Sequence, residues 1–177
     1  MKKLLFLAML ILLLAMSSGC NINITITPDE PNPDPLYGKY TFEIPIYVSS
    51  LSSVSGVYIS GNLKDMECNI SKEKFEIYYK DTLDHRFLIQ NPKYKKEIID
   101  VEKEKDFDYA VNNVVSISAY KDKTQYIIYD KHDNRIPFRI YKLDNEIWLV
   151  SYSNTYVGNN HSVPLIFSIY KLRLSTH

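Results

Sequence analysis

Ile136-Pro137-Phe138-Arg139-Ile140-Tyr141-Lys142-Leu143-Asp144-Asn145-Glu146-Ile147-Trp148-Leu149-Val150-Ser151-Tyr152 reads as two strands folded back on each other. Both arms are rich in β-branched and aromatic residues, and Asp144-Asn145 between them tolerates the positive φ that a tight turn requires. In this register Tyr141 opposes Trp148 and Arg139 opposes Val150, which predicts an aromatic and cationic patch on one face of the ribbon. Arg139, Tyr141 and Trp148 are therefore the candidate ligand-binding residues.

The same two-residue rhythm extends upstream. Tyr40, Phe42, Ile44, Ile46 and Val48 share one face of a first strand, and Pro45 removes a ladder donor, so a bulge or an edge position is expected there. Met66–Ser71 and Lys74–Lys80 flank Lys72-Glu73 as a second hairpin, and Phe87–Gln90 is a short strand ended by Asn91-Pro92. Residues 91–109 are open between helix and strand. Val114–Tyr120 and Gln125–Tyr129 are expected to pair across Lys121-Asp122-Lys123, Ser153–His161 to be a polar loop, and Pro164–Leu174 to be the last strand. Ser49–Ser60 fits a short helix or an ordered loop.

About eight or nine strands with short connections make the chain all-β, an antiparallel meander with at most one or two short helices. A sheet of that width is best relieved of its edges by closing into a small barrel, while a partly open barrel or a β-sandwich stays open as an alternative. Phe138-Arg139-Ile140-Tyr141-Lys142-Leu143 and Phe167-Ser168-Ile169-Tyr170-Lys171-Leu172 echo each other, as two strands in similar barrel environments would.

The chain begins Met1-Lys2-Lys3, continues with thirteen apolar residues from Leu4 to Met16, and reaches Ser17-Ser18-Gly19-Cys20. A thirteen-residue helix rises only about 20 Å against a hydrocarbon core of roughly 30 Å, so the run is a secretory signal rather than a permanent span. Residues 21–35 hold four of the eight prolines and three acidic residues, a composition suited to an extended tether. Asn21–Thr27 alternatively pairs as an extra strand. The expected organisation is thus a signal peptide over 1–19, a tether over 20–35 and one β-rich domain over 36–177.

Ser18, Gly19 and Cys20 match the lipobox of bacterial lipoproteins, which the amino terminus resembles. Ser17 stands where that family usually carries Leu, and Met16 supplies the apolar contact one place early. The resemblance implies signal cleavage before Cys20, acylation of its thiol (palmitate or a similar chain), and retention on the extracytoplasmic face of the cell membrane or cell envelope. Leu36-Tyr37-Gly38-Lys39-Tyr40 and Phe167–Arg173 also resemble the start and finish of lipocalin-like β-barrel lipoproteins, with Tyr40 in place of Trp and Arg173 as the candidate cation covering its ring. The abundance of Ile, Lys, Tyr and Asn is similar to that of small lipoproteins of low-GC bacteria.

Function is bounded by what is missing. Twenty-one basic and twenty-one acidic residues balance over the whole chain, and removal of Lys2 and Lys3 leaves the mature form at −2. That is no profile for nucleic acid, and the Lys-dense stretch Lys93–Lys105 is interleaved with Glu97, Glu102 and Glu104 as a solvated face. With Cys20 acylated, Cys68 has no disulfide partner and reads as a small buried hydrophobe. His85, His132, His161 and His177 are isolated, so no metal spacing exists. No catalytic group stands in a persuasive constellation: Asp84-His85 are neighbours pointing apart, and the serines at 49, 50, 52, 53 and 55 lack the glycines of a nucleophile elbow. No cofactor is implied. The fifteen tyrosines are mostly expected as half-buried strand residues, with Tyr47 and Tyr78 on the minority face beside Tyr141 and Trp148.

These features point to a non-catalytic binding module for a small apolar ligand or an envelope component. An interaction protein, such as an inhibitor or assembly factor working through the loops near Ser153–His161, is the alternative, and an enzyme is a third. The interior decides between carrier and surface binder. A void lined by Phe42, Ile44, Ile140 and Leu149 favours an apolar passenger, whereas a plugged interior favours surface recognition.

Overall fold

A computed structural model describes residues 36–50, 63–104, 106–157 and 161–175, with the backbone alone described over 154–157 and 161–163. The signal, Cys20, the tether and most of the serine-rich stretch lie outside these residues. The strands are β1 (Gly38–Val48), β2 (Met66–Ile70), β3 (Lys74–Tyr79), β4 (His85–Gln90), β5 (Lys93–Ile98), β6 (Lys123–Tyr129), β7 (Arg135–Leu143), β8 (Glu146–Val157) and β9 (His161–Leu174). One helix, α1 (Phe107–Val114), and one 3-10 turn, Leu63–Asp65, complete the described elements. The all-β expectation holds.

All nine strands join one antiparallel sheet in the order β4-β3-β2-β1-β9-β8-β7-β6-β5, so the first strand lies against the last. Its two ends, β4 and β5, are separated in the chain by Asn91 and Pro92 alone, and the sheet must curl until they meet. Strand direction says how. Three ladders separate β4 from β1 and five separate β5 from it, both odd, so β4 and β5 run the same way. Residues 85–98 are therefore one stave bent in the middle, its first half laddered to β3 and its second half to β6. Counted so, the circuit is an eight-staved antiparallel barrel, open where each half of this stave lacks a second neighbour.

The corner is pinned on both sides. Asn91 takes a positive φ of 50°, and its N–H donates to the Glu73 carbonyl at 2.7 Å in the β2–β3 turn. Tyr94 Oη donates to the Ser71 carbonyl at 3.0 Å in that same turn. From the opposite side Lys93 Nζ reaches Asp133 Oδ1 at 2.6 Å in the β6–β7 turn. Pro92 is buried at a place where no ladder donor is needed.

Side chains facing the barrel axis form the main core: Tyr40 and Phe42 from β1, Met66, Cys68 and Ile70 from β2, Phe75 and Ile77 from β3, and their counterparts on β6 to β9. Rings meet across the axis, with Phe87 and Phe138 centroids 4.9 Å apart and Phe75 and Phe138 5.8 Å apart, and within the β1–β9 ladder Phe42 and Tyr170 are 5.6 Å apart. A side chain bordering a void wide enough for water keeps accessible surface, and Ile70, Phe75, Ile77, Ile128, Ile140 and Leu149 keep none (0 %). The axis is plugged.

Three expectations are corrected. Ile44 does not face the axis but is 85 % exposed. The expected bulge at Pro45 exists, with register shifts on both sides of it, and Ile44, Ile46 and Val48 are left exposed around and beyond it. Val114–Tyr120 is not a strand. Phe107 and Val111, four apart, form the buried stripe of α1, and Asn112 Oδ1 then accepts the Ile117 N–H at 2.9 Å, holding the chain in a loop until β6. The ambiguous 91–109 segment resolves into β5, a loop and the start of α1. Ser153–Val157 continues β8 and pairs with His161–Leu165, so the polar residues at the end of β8 form strand rather than loop.

Because only Asn, Asp and Gly accept a left-handed backbone cheaply, Asn91→Val is expected to lower unfolding free energy by roughly 1–2 kcal/mol. Asn91→Gly is expected to fall within a few tenths of the parent, and urea unfolding of the two variants side by side checks the corner.

Candidate functional site

Arg139, Tyr141 and Trp148 stand in the register expected of them, Tyr141 opposite Trp148 and Arg139 opposite Val150. They are not, however, an open patch. Their relative exposures are 7 %, 0 % and 3 %, because α1 and the loops beside it roof the outer face of β7, β8 and β9. Ile99, Phe107, Val111, Ile117, Val150, Tyr152, Ile166 and Ile169 make this second, outer core. The roof is illegible in the sequence because the helix is only eight residues long and Val114–Tyr120 alternates as a strand would.

Inside it lies a polar chain. Tyr141 Oη donates to Asp108 Oδ1, Gln125 Nε2 donates to Asp108 Oδ2 at 2.9 Å, and the Asp100 N–H donates to that same oxygen at 3.0 Å. Arg139 Nη1 donates to Gln125 Oε1 at 2.7 Å. The Arg139 guanidinium carbon sits 3.7 Å from the Phe107 ring centroid and 5.4 Å from that of Tyr152. Burial raises the Asp108 carboxyl above its usual range, and the bonds from Tyr141 and Asp100 with the Arg139 charge offset only part of that rise. Burial, then the Asp108 charge, pushes the Tyr141 phenol far up. This network clamps the helix onto the sheet and leaves Arg139 and Tyr141 covered. Trp148 belongs to a neighbouring group, donating through Nε1 to Glu146 Oε2 at 2.8 Å with Tyr120 Oη on the same oxygen at 3.1 Å.

Other titratable clusters are also self-satisfied. Glu76, 3 % exposed, takes Asn69 Nδ2 at 2.8 Å, Lys74 Nζ at 2.5 Å and His85 Nδ1 at 3.3 Å. Its burial favours the neutral form, but the bonds from Asn69 and Lys74 hold its carboxyl below the usual range. Cys68 is free and fully buried, and burial raises its thiol well above the ordinary value, as for a small hydrophobe. Arg173 does not cover the Tyr40 ring; its Nε donates to Glu43 Oε1 at 2.8 Å. Among the described residues no three or more His, Cys, Asp or Glu gather as a metal site, and no helix is long and apolar enough to cross a membrane.

One recess that remains accessible is the barrel mouth, a cleft of about 880 Å³. Its floor is Tyr40, Ile147 and Leu172, and Lys96, Thr124 and Lys142 rise from β5, β6 and β7. Register fixes their direction: Ile140 opposes both Tyr126 and Leu149 in the core, so Thr124, Lys142 and Ile147, one step of two residues further, face the same side. Lys96, opposite Tyr126, faces it too. Lys96 and Lys142 are the residues that reasoning from sequence missed. The signal was present for Lys142, a lysine at an inward parity position of the best-defined strand.

Tyr141→Phe removes the donor that favours ionised Asp108, at an expected cost of about 1.5–3 kcal/mol at neutral pH. The carboxyl's folded pKa is already raised above its unfolded value, so its ionisation destabilises the fold as pH climbs, and the variant raises that pKa further. The difference between variant and parent is therefore expected to shrink as pH falls below the folded pKa of Asp108, measured by urea unfolding at several pH values. Compared with known proteins, the chain matches no family model, no curated protein and no solved structure.

Proposed function

We propose that this chain is a membrane-anchored, extracytoplasmic lipoprotein whose β-domain is a non-catalytic binding module, and that it engages its ligand at the barrel mouth rather than in an enclosed interior. The plugged axis carries the second half of this reading. An apolar passenger has no room among side chains of 0 % exposure, while the cleft of about 880 Å³ lies open above them. The lipobox residues Ser18, Gly19 and Cys20 support the first half. Dual or triple acylation makes detachment slow, each buried CH₂ contributing on the order of 0.8 kcal/mol.

A second reading, a protein–protein interaction module, is favoured by a separate observation. The bulge at Pro45 leaves Ile44, Pro45 and Ile46 lining a second groove of about 700 Å³ with Leu63. Such a groove suits an apolar segment of another chain.

Native mass spectrometry of the protein taken from its own host tests both readings. A small co-purifying molecule is expected, and Thr124→Trp, which fills the mouth with a strand-forming residue, is expected to abolish it; a passenger that survives this variant refutes binding at the mouth. A second chain lost on Ile44→Asp instead supports the alternative. For the anchor, Cys20→Ala is expected to be secreted but not retained by membranes, and a variant that still pellets with them removes the lipid from the account.

A further inference from the structure

We propose that the mouth holds one anionic head group, phosphate or carboxylate, between Lys96 and Lys142, with the aliphatic stem of the same molecule lying on Tyr40, Ile147 and Leu172. The proposal rests on binding at the mouth and adds the chemistry of what is bound. Four cations and four carboxylates line or rim the cleft, and their pairing is uneven. Lys171 Nζ is bound to Glu146 Oε1 at 2.6 Å, which holds that carboxyl below its usual range, and Arg173 is bound to Glu43. Asp144 Oδ1 accepts the N–H groups of Lys121 and Asp122 at 3.1 and 2.8 Å. The side chains of Lys96 and Lys142 make no hydrogen bond or ion pair among the described residues, although Lys142 is half-buried.

A half-buried ammonium without a partner is expensive unless its charge is met by water or by a ligand. Lys142 is half-buried, and Lys96, which is exposed, faces the same recess. Their backbones flank β6 on either side and are offset by two residues, so their Cα atoms are about 12 Å apart by strand geometry, and the inward curl of the sheet brings the side-chain ends closer. Thr124 between them supplies a hydroxyl at the same level as Lys142. Below lie the buried Tyr40 and Leu172, at 3 % and 4 % exposure, with Ile147 beside them. Asp122, on the rim, leaves the cleft close to neutral, which suits a single anionic group rather than a polyanion.

The test uses the full chain with its lysine amines converted to ¹³C-dimethylamines, a change that keeps their charge. Lys96 and Lys142 methyl signals, assigned from Lys96→Gln and Lys142→Gln, are followed by NMR during titration with hexyl phosphate, inorganic phosphate and hexyltrimethylammonium. Hexyl phosphate is expected to shift both signals saturably and the cationic amphiphile to shift neither. The double variant K96Q/K142Q is expected to bind hexyl phosphate at least about 10-fold more weakly, read from a ligand-observed titration. Tighter binding of hexyl phosphate than of inorganic phosphate supports the stem on the apolar floor, and equal binding overturns it in favour of a free anion. Unmoved lysine signals, or unchanged affinity in the double variant, overturn the anion site. If that happens while Thr124→Trp still empties the mouth of its native passenger, only the anionic assignment falls.

Discussion

An antiparallel ring closes only on an even number of staves, and this chain meets that requirement by bending one strand rather than by dropping one. Asn91 and Pro92 let residues 85–98 serve β3 with one half and β6 with the other. The curl of the sheet, the meeting of β1 with β9, and the convergence of Phe75, Phe87 and Phe138 on the axis all depend on that corner. A left-handed Asn, a buried Pro and three side-chain or backbone tethers are what hold it.

Curling has a second effect, on the outside. Strands β7, β8 and β9 are apolar on both faces, so filling the axis leaves Tyr141, Trp148, Val150 and Ile169 without cover. The helix at 107–114 supplies it, and the cover brings a carboxylate and a guanidinium out of water together. Gln125 joins the two by hydrogen bonds, while Phe107 stacks on the cation. Such a charged pair is weak evidence of stabilisation in itself; what it fixes is the seat of the helix on the sheet. Inward-facing positions turn polar at one end of the barrel, at Thr124 and Lys142, where the accessible cleft lies.

The hairpins at 66–79 and 136–152 were legible because a period of two and turn chemistry agreed there, and the register around Asp144 followed residue for residue. What escaped did so for physical reasons. Pro45 announced a bulge, but alternation carries unbroken through it in the sequence, which hides that Ile44, Ile46 and Val48 are exposed around it. The segment 107–120 contains both a helical spacing, Phe107 and Val111, and an alternating one, Val115, Ile117 and Ala119, and only tertiary cover selects the first. Register likewise gave the neighbours of Arg139 and Tyr141 but not what lies over them, because an eight-residue helix carries little signal of its own. Lys142 had a readable parity; Lys96 did not, since β5 lay in the ambiguous stretch.

A stave with one neighbour per half offers bare backbone to any extended peptide that drifts past. In β5 that exposed rim carries Lys93 and Lys95, with Lys96 turned toward the mouth, and β4 begins with His85 and Arg86. Positive charge crowded on an unpaired rim repels a second copy presenting the same row. The lysines read in the sequence as a solvated, salt-bridged face do pair, Lys93 with Asp133 and Lys95 with Glu97, and their charge also makes this open rim a poor template for fibre-like stacking.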